Sequence, residues 1–231
     1  MADAVIPQTG ILRTAWVKDA TLVLSFSFFT ALFAQIVLRL PFTTVPITGQ
    51  TFAVLLAGGA LGSRRGALSL LLYMAWGIIG IPVFAPIASA TKGELVHFVL
   101  PWKGTAALPW DLSSGGYILG FILAAYVVGL LAERGWDRGW RVNLAMLIGN
   151  TLIYLPGLAW LGYVIASHTL DTQLGVNLYQ LIPGRHAVDK ALVGGLYPFI
   201  LGDLLKLLLA SLILPGAWEL VHAFKGRDKS S

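Results

Sequence analysis

The sequence predicts an all-α membrane protein, a single bundle of about six transmembrane helices with both termini in the cytoplasm. Of its 231 residues, 57% are hydrophobic and 12% are charged, whereas soluble domains have about 45–50% and 25%. The apolar residues form runs close to the roughly 17–25 residues that a bilayer span needs. One integral-membrane domain over 1–231 is therefore expected, with spans at residues 20–40, 47–62, 66–82, 117–132, 142–165 and 191–224.

The first run, 20–40, is longer than the apolar part of a signal peptide, so we expect it to remain in the mature protein. It carries small residues four apart, which allow a second helix to approach closely in lipid. Two interpretations stay open: an internal packing face, or a docking surface for a partner membrane subunit. The docking hypothesis rests on Ser27, Ala31 and Ala34.

The next two runs form a hairpin, because the basic turn Gly62-Ser63-Arg64-Arg65-Gly66 separates them. The segment 83–116 that follows contains three prolines and two tryptophans and is too irregular to cross lipid. It is either a lid over a site or a plain surface loop. The fourth and fifth spans are joined by a short charged link, and a second long loop, 166–190, leads to the last span.

The distribution of Lys and Arg predicts the orientation, because cytoplasmic loops of membrane proteins are enriched in these residues. Placing the N-terminus, the hairpin turn, the charged link and the tail on one side gives ten cations there and five on the other side. The ten are Arg13, Lys18, Arg64, Arg65, Arg134, Arg138, Arg141, Lys225, Arg227 and Lys229, and the five are Arg39, Lys92, Lys103, Arg185 and Lys190.

The remaining cation, Lys206, lies within the last span, three residues after the acid Asp203. This spacing puts both side chains on one helix face within reach of each other. Charges inside a membrane are unfavourable unless paired or hydrated, so they indicate a functional site. The alternative is a structural ion pair. If Pro198 begins the helix, the pair lies near the outer surface and its site opens outward.

Motifs for catalysis are absent from the sequence, and we predict neither catalytic nor metal-binding residues. It contains no GxxxxGK[ST] phosphate loop, no HExxH and no GxSxG, and its four histidines are scattered. The lack of cysteine excludes disulfides and thiolate chemistry. A polytopic membrane enzyme is therefore the weaker hypothesis.

Three stretches resemble the BioY family, the biotin-binding S components of energy-coupling factor (ECF) vitamin transporters. They are VPITGQTFAVLLAGGALGSRRGALSLLLYMAWGIIGIPVFA, GGYILGF and the GDLLK of the last span. The resemblance implies an outward-facing pocket in which Asp203 and Lys206 contact biotin. It also implies a prokaryotic plasma-membrane location, no cofactor, and as partners a transmembrane T component with two ATPases.

Further candidates to line the pocket are Thr43, Thr48, Gln50 and Tyr117, and the helix start that includes Gly116 could offer backbone N–H groups to a carboxylate. One feature departs from the family pattern, since the loop after PVF lacks the asparagine expected there. An S component for a different small vitamin therefore remains an alternative.

Overall fold

The chain folds as a bundle of apolar helices with a small sheet and short helical turns at one end. The computed structural model describes the backbone of residues 15–87 and 94–227 and the side chains of residues 16–87 and 94–216. The helices are α1 Ala15–Ala34, α2 Gln50–Leu61, α3 Ser63–Ile78, α4 Gly115–Leu131, α5 Arg141–Ser167, α6 Asp171–Leu174, α7 Leu178–Leu181, α8 Ala187–Gly195 and α9 Ile200–Arg227.

Three two-residue strands pair next to the end of α1 and the start of α2. They are β1 Val37–Leu38, β2 Ile47–Thr48 and β3 Val96–His97, in the antiparallel order β2-β1-β3. The sheet holds the loop that follows α3 against the segment between α1 and α2. The irregular 83–116 segment predicted from the sequence is thus partly ordered by strand pairing, and its residues 88–93 lie outside the described part.

The hairpin of α2 and α3 turns sharply at Gly62, whose φ of 84° is a conformation that glycine adopts more readily than other residues. Glu133, after α4, caps the start of α3, because its Oε1 accepts bonds from the Ser63 backbone N–H at 2.7 Å and from the Ser63 hydroxyl at 2.8 Å. A carboxylate at a helix N-terminus also interacts favourably with the helix dipole. The charged link therefore packs on the basic turn, as expected for elements on one side of the membrane.

Glycines on α4 let this helix lie directly against α5. A Cβ on Gly120 would come within 2.6 Å of the Ile153 carbonyl oxygen. A Cβ on Gly116 would collide with the backbone of Pro156. Small residues at helix contacts allow such close approach in membrane proteins, so α4 and α5 form the centre of the bundle.

The predicted last span, 191–224, is not a continuous helix. It consists of α8 and α9, which are bent by 48° at a break over residues 196–199. Pro198 lies in this break and α9 begins two residues later, so the helix starts just after this proline and not at it. The break exposes the last carbonyls of α8, which need other donors than the helix backbone.

In the part of the chain that the structure describes, three helices are long and apolar enough to cross a membrane: Trp16–Ala34, Gly115–Trp136 and Arg141–Ser167. Counting α8 with the described part of α9 as one bent span gives a fourth. The two hairpin helices, predicted as full spans, have 12 and 16 residues, fewer than the roughly 20 that cross a bilayer without tilt or thinning. Of the cations used for the orientation, Arg13 and Lys229 lie outside the described residues, as does Lys92.

The predicted docking surface on α1 requires a correction. Ser27, Ala31 and Ala34 are fully buried, and the Trp76 indole N–H donates to the Ser27 hydroxyl at 3.4 Å. These small residues let α3 pack against α1, which is the internal packing alternative. The outward face of α1 carries large apolar side chains instead, Leu24, Phe28 and Leu32.

Candidate functional site

A cavity of about 510 Å³ lies at the end of the bundle that carries the sheet, a size typical of small-molecule sites. Its walls are mostly apolar and include Val45, Phe84, Leu112, Phe121 and Phe199. The helix α2 begins at this cavity and ends at the basic turn, about 18 Å away at 1.5 Å per residue. The cavity and the Arg64-Arg65 turn are therefore at opposite ends of the bundle, as the predicted outward opening requires.

The polar floor of the cavity is built around Asp203, in the first turn of α9, which is only 3% exposed. The Lys206 ammonium lies 2.5 Å from its Oδ1 atom. The Tyr154 hydroxyl of α5 donates to Oδ2, and the Thr51 hydroxyl of α2 donates to Oδ1 at 3.4 Å. Three elements thus hold one buried carboxylate, and the ion pair predicted from the i, i+3 spacing is formed.

Lys206 has further partners at the start of α2. Its ammonium donates to the Thr48 carbonyl oxygen at 2.9 Å, and the Thr51 hydroxyl lies 3.5 Å away. These contacts tie the last helix to the β2–α2 junction. A buried charge with several donors or acceptors around it is well positioned to bind a polar ligand group without large rearrangement.

The predicted lining residue Gln50 belongs to a second hydrogen-bonded group beside this floor. The Thr48 hydroxyl donates to its side-chain oxygen at 2.9 Å, and its amide nitrogen donates to the Tyr73 hydroxyl at 2.6 Å. Tyr73 in turn donates to the Val83 carbonyl oxygen at 3.3 Å. Both Gln50 and Thr48 line the cavity, but their side chains already have partners in the ligand-free protein.

Thr43 and Tyr117 also line the cavity. Their hydroxyls donate to carbonyl oxygens that the break in the last span leaves without helical partners. Thr43 donates to the Gly194 carbonyl oxygen at 2.7 Å, and Tyr117 donates to the Gly195 carbonyl oxygen at 2.8 Å. Their aliphatic and aromatic parts remain available as cavity wall. Gly116 does not line the cavity and occupies the contact of α4 with α5 described above.

The cavity residues that sequence reasoning missed include Thr51, Tyr154 and Arg39. Thr51 stands in the same ITGQT stretch as Gln50, one residue further on, so this motif was a usable signal. Tyr154 was one tyrosine within an apolar span, and nothing local distinguished it. Arg39 was counted only as an outer-side cation. Each comes to the cavity through packing of distant elements.

The described part of the chain contains no group of three or more His, Asp or Glu side chains that could hold a metal ion. Two of the histidines have local roles, since His168 pairs with Asp171 at 2.7 Å and His186 caps α8. The cavity contributes hydrogen-bond acceptors, donors and apolar walls. This arrangement suits reversible binding of a small molecule that has both polar and apolar parts.

Comparison with known proteins agrees with this geometry. The model of the BioY family matches residues 7–223. The chain belongs to the BioY family. The resemblance of the three sequence stretches is thereby confirmed, and the apolar helices are those of a membrane protein.

Two relatives extend the comparison over most of this BioY-family chain. The biotin transporter BioY of Thermotoga maritima is 34% identical over 176 residues, covering 76% of this chain and 82% of the relative. The probable biotin transporter BioY of Pyrococcus horikoshii is 33% identical over 196 residues, covering 85% and 93%.

One solved structure has the same fold. It is the S-component for biotin from an ECF-type ABC transporter, with a TM-score of 0.59 at 21% sequence identity, covering 89% of this chain and 92% of that chain. The predicted all-α bundle is confirmed by this match. At this level of identity the likeness concerns the fold alone.

Proposed function

We propose that this chain is a biotin-binding S component, which captures biotin from the outer side of the membrane. The observation that carries the proposal is the Asp203–Lys206 pair at the floor of an otherwise apolar cavity in a BioY-family chain. Biotin has two ureido N–H donors, a ureido carbonyl, an apolar thioether ring and a carboxylate. An aspartate accepts from N–H groups, a lysine donates to a carbonyl, and apolar walls suit the ring.

The enzyme alternative has less support than binding. The relatives are named as transporters, and the cavity carboxylate that accepts from a threonine hydroxyl, Asp203, is paired with Lys206 and is therefore poorly suited to act as a general base. The other alternative, a different small vitamin, keeps the fold and changes only the ligand.

The experiment is a calorimetric titration of the purified, ligand-free protein in detergent with biotin, thiamine and riboflavin. We expect binding of biotin alone, and a loss of about tenfold or more in affinity, about 1.4 kcal/mol, in Asp203→Asn. Glu94→Gln is the matched control, because Glu94 is an exposed acid outside the cavity lining. If the protein binds thiamine or riboflavin but not biotin, the assignment of biotin as the ligand is wrong. If Asp203→Asn binds biotin with unchanged affinity, Asp203 does not belong to the site.

The energy for uptake would come from partner proteins, because the sequence has no GxxxxGK[ST] phosphate loop. We propose a transmembrane T component and two ATPases as those partners, with the chain as a multi-pass protein of the prokaryotic plasma membrane. Vesicles containing the chain with and without such a module test this. ATP-dependent uptake only with the module is expected, and equal uptake without it contradicts the proposal.

A further inference from the structure

The charges that line the cavity do not cancel. Its charged residues in the described part of the chain are Arg39, Asp203 and Lys206. Asp203 and Lys206 form a pair at 2.5 Å, so they neutralise each other. Arg39 is left as one positive charge without a counter-charge in the lining. A ligand that carries a single negative charge would complement it.

The surroundings of Arg39 fix its position but leave its hydrogen-bonding capacity incompletely used. It follows β1, and its backbone N–H donates to the Leu95 carbonyl oxygen at 2.7 Å. One guanidinium Nη donates to the Pro86 carbonyl oxygen. The Nε atom is buried and has no hydrogen-bond partner. Buried donors without partners are rare and unfavourable.

The ion pairs of the described residues do not include Arg39, although the guanidinium always carries a charge. A planar guanidinium that presents free N–H groups matches the two oxygens of a carboxylate. Such an anion would bind the guanidinium N–H groups that the Pro86 carbonyl oxygen leaves free, and it would balance the charge. Both features of this side chain favour the same kind of ligand group, an anion.

The start of α4, the other candidate for an anion site, is less suitable. Its backbone N–H groups at Gly115, Tyr117 and Ile118 already donate to the carbonyl oxygens of Leu112 and Ser114. Gly116 itself lies where α4 contacts α5, since a Cβ there would come within 2.3 Å of the Pro156 carbonyl oxygen. The helix start is therefore occupied by its own turn.

We infer that Arg39 is the anion-binding residue of this cavity and takes the carboxylate of the ligand. The inference rests on the proposed function and adds a direction to it. The carboxylate lies towards β1, and the ring with its N–H groups lies towards Asp203 on α9. The cavity therefore selects ligands that carry one negative charge at the end remote from their N–H donors.

The test compares biotin with biotinamide, in which a neutral amide replaces the carboxylate, in calorimetric titrations. The unmodified protein should bind biotin about tenfold or more tightly than biotinamide, because a charge-assisted bond is lost with the amide. Arg39→Gln should lower this preference to about twofold or less, mainly by weakening biotin, with biotinamide affinity nearly unchanged. Arg39→Lys should show an intermediate preference for biotin, because lysine keeps the positive charge but lacks the planar guanidinium that can bond both carboxylate oxygens.

Lys103→Gln is the matched control, since Lys103 is a nearby cation that pairs with Glu94 and does not line the cavity. It should keep the full preference for biotin. An unmodified protein that binds both ligands equally overturns the inference without any variant. Arg39→Gln also overturns the inference if this variant still prefers biotin. It does so as well if the variant loses affinity for both ligands equally, since Arg39 would then serve only to hold the Pro86 carbonyl oxygen. Failure of the unmodified protein to bind biotin at all would instead overturn the proposed function.

Discussion

Single and double substitutions of Asp203 and Lys206 can distinguish a stabilising role of this ion pair from a ligand-binding role, because the two roles predict different effects. Lys206→Met removes the ammonium and leaves a carboxylate that is 3% exposed. Breaking a buried pair on one side typically costs about 3–5 kcal/mol. Here Tyr154 and Thr51 still donate to the two carboxylate oxygens. We therefore expect a smaller loss, about 2–3 kcal/mol of the free energy of unfolding.

The double variant Asp203→Asn with Lys206→Met removes both charges. Replacing a buried ion pair by neutral groups of similar size is often neutral or stabilising, so its free energy of unfolding should lie within about 1 kcal/mol of the unmodified protein. Biotin affinity should nevertheless fall about tenfold or more in both variants, because the acceptor and donor for the ureido group are changed.

The assay is unfolding of the ligand-free protein by SDS in mixed micelles, followed by the fluorescence of its eight tryptophans. Titration with biotin under folding conditions gives the affinities of the same samples. The reasoning fails if Lys206→Met is as stable as the unmodified protein, since the buried carboxylate would then need no counter-charge. It also fails if the double variant binds biotin normally, which would make the pair purely structural.

Three further substitutions, with Gly216→Ala as a control, test the packing. Gly120→Ala should lower the free energy of unfolding by about 1–3 kcal/mol, because its Cβ would collide with Ile153. Gly216→Ala should keep or raise the free energy of unfolding, because a Cβ at Gly216 would meet nothing within 4 Å. Equal effects of the two variants in an unfolding titration would contradict this reasoning. Glu133→Gln should lower the free energy of unfolding by about 1 kcal/mol, because it weakens the cap at the start of α3. An unchanged unfolding midpoint would argue against this capping role. Ala31→Trp should abolish both folding and biotin binding, because the Ala31 side chain is fully buried. Gel filtration monitors folding and calorimetry monitors binding. A variant that binds biotin but fails in uptake would restore the docking hypothesis.

Local composition was sufficient to predict the helical class and the central elements. The spans predicted at 117–132 and 142–165 correspond to α4 and α5, because both are long apolar runs bounded by polar residues. The hairpin turn was recognisable from its glycines and arginines. The pairing of Asp203 with Lys206 followed from the helical period alone.

Features that depend on distant parts of the chain could not be predicted in this way. The break between α8 and α9 lies within an apolar stretch, and its carbonyls are satisfied by side chains from far away in sequence, such as Tyr117. The small residues on α1 gave the same pattern for an internal face as for a docking face. Only the position of α3 decides between them.

Tyr154 and Arg39 illustrate the same limit at the site itself. Their side chains reach the cavity because α5 packs beside α9 and because β1 pairs with β3. Neither residue belongs to a local motif. Their roles depend on which other groups face them, and the sequence does not state that.

The break in the last span explains how a charged pair can be held in an apolar bundle. Because the helix stops at Gly195 and restarts at Ile200, Asp203 lies in the first turn of a helix that begins at the cavity. The four N–H groups at such a helix start have no helical acceptors, and the positive end of the helix dipole favours a carboxylate there. The Asp203 backbone N–H makes the first i→i−4 bond of α9, to the Phe199 carbonyl oxygen at 2.8 Å, and the Asp203 side chain is neutralised by Lys206 one turn further along. A continuous helix would have placed the same carboxylate mid-span, away from the positive end of a helix dipole. The discontinuity therefore lies at the floor of the cavity, and the hydroxyls of Thr43 and Tyr117 bond the carbonyl oxygens that it leaves free at the end of α8.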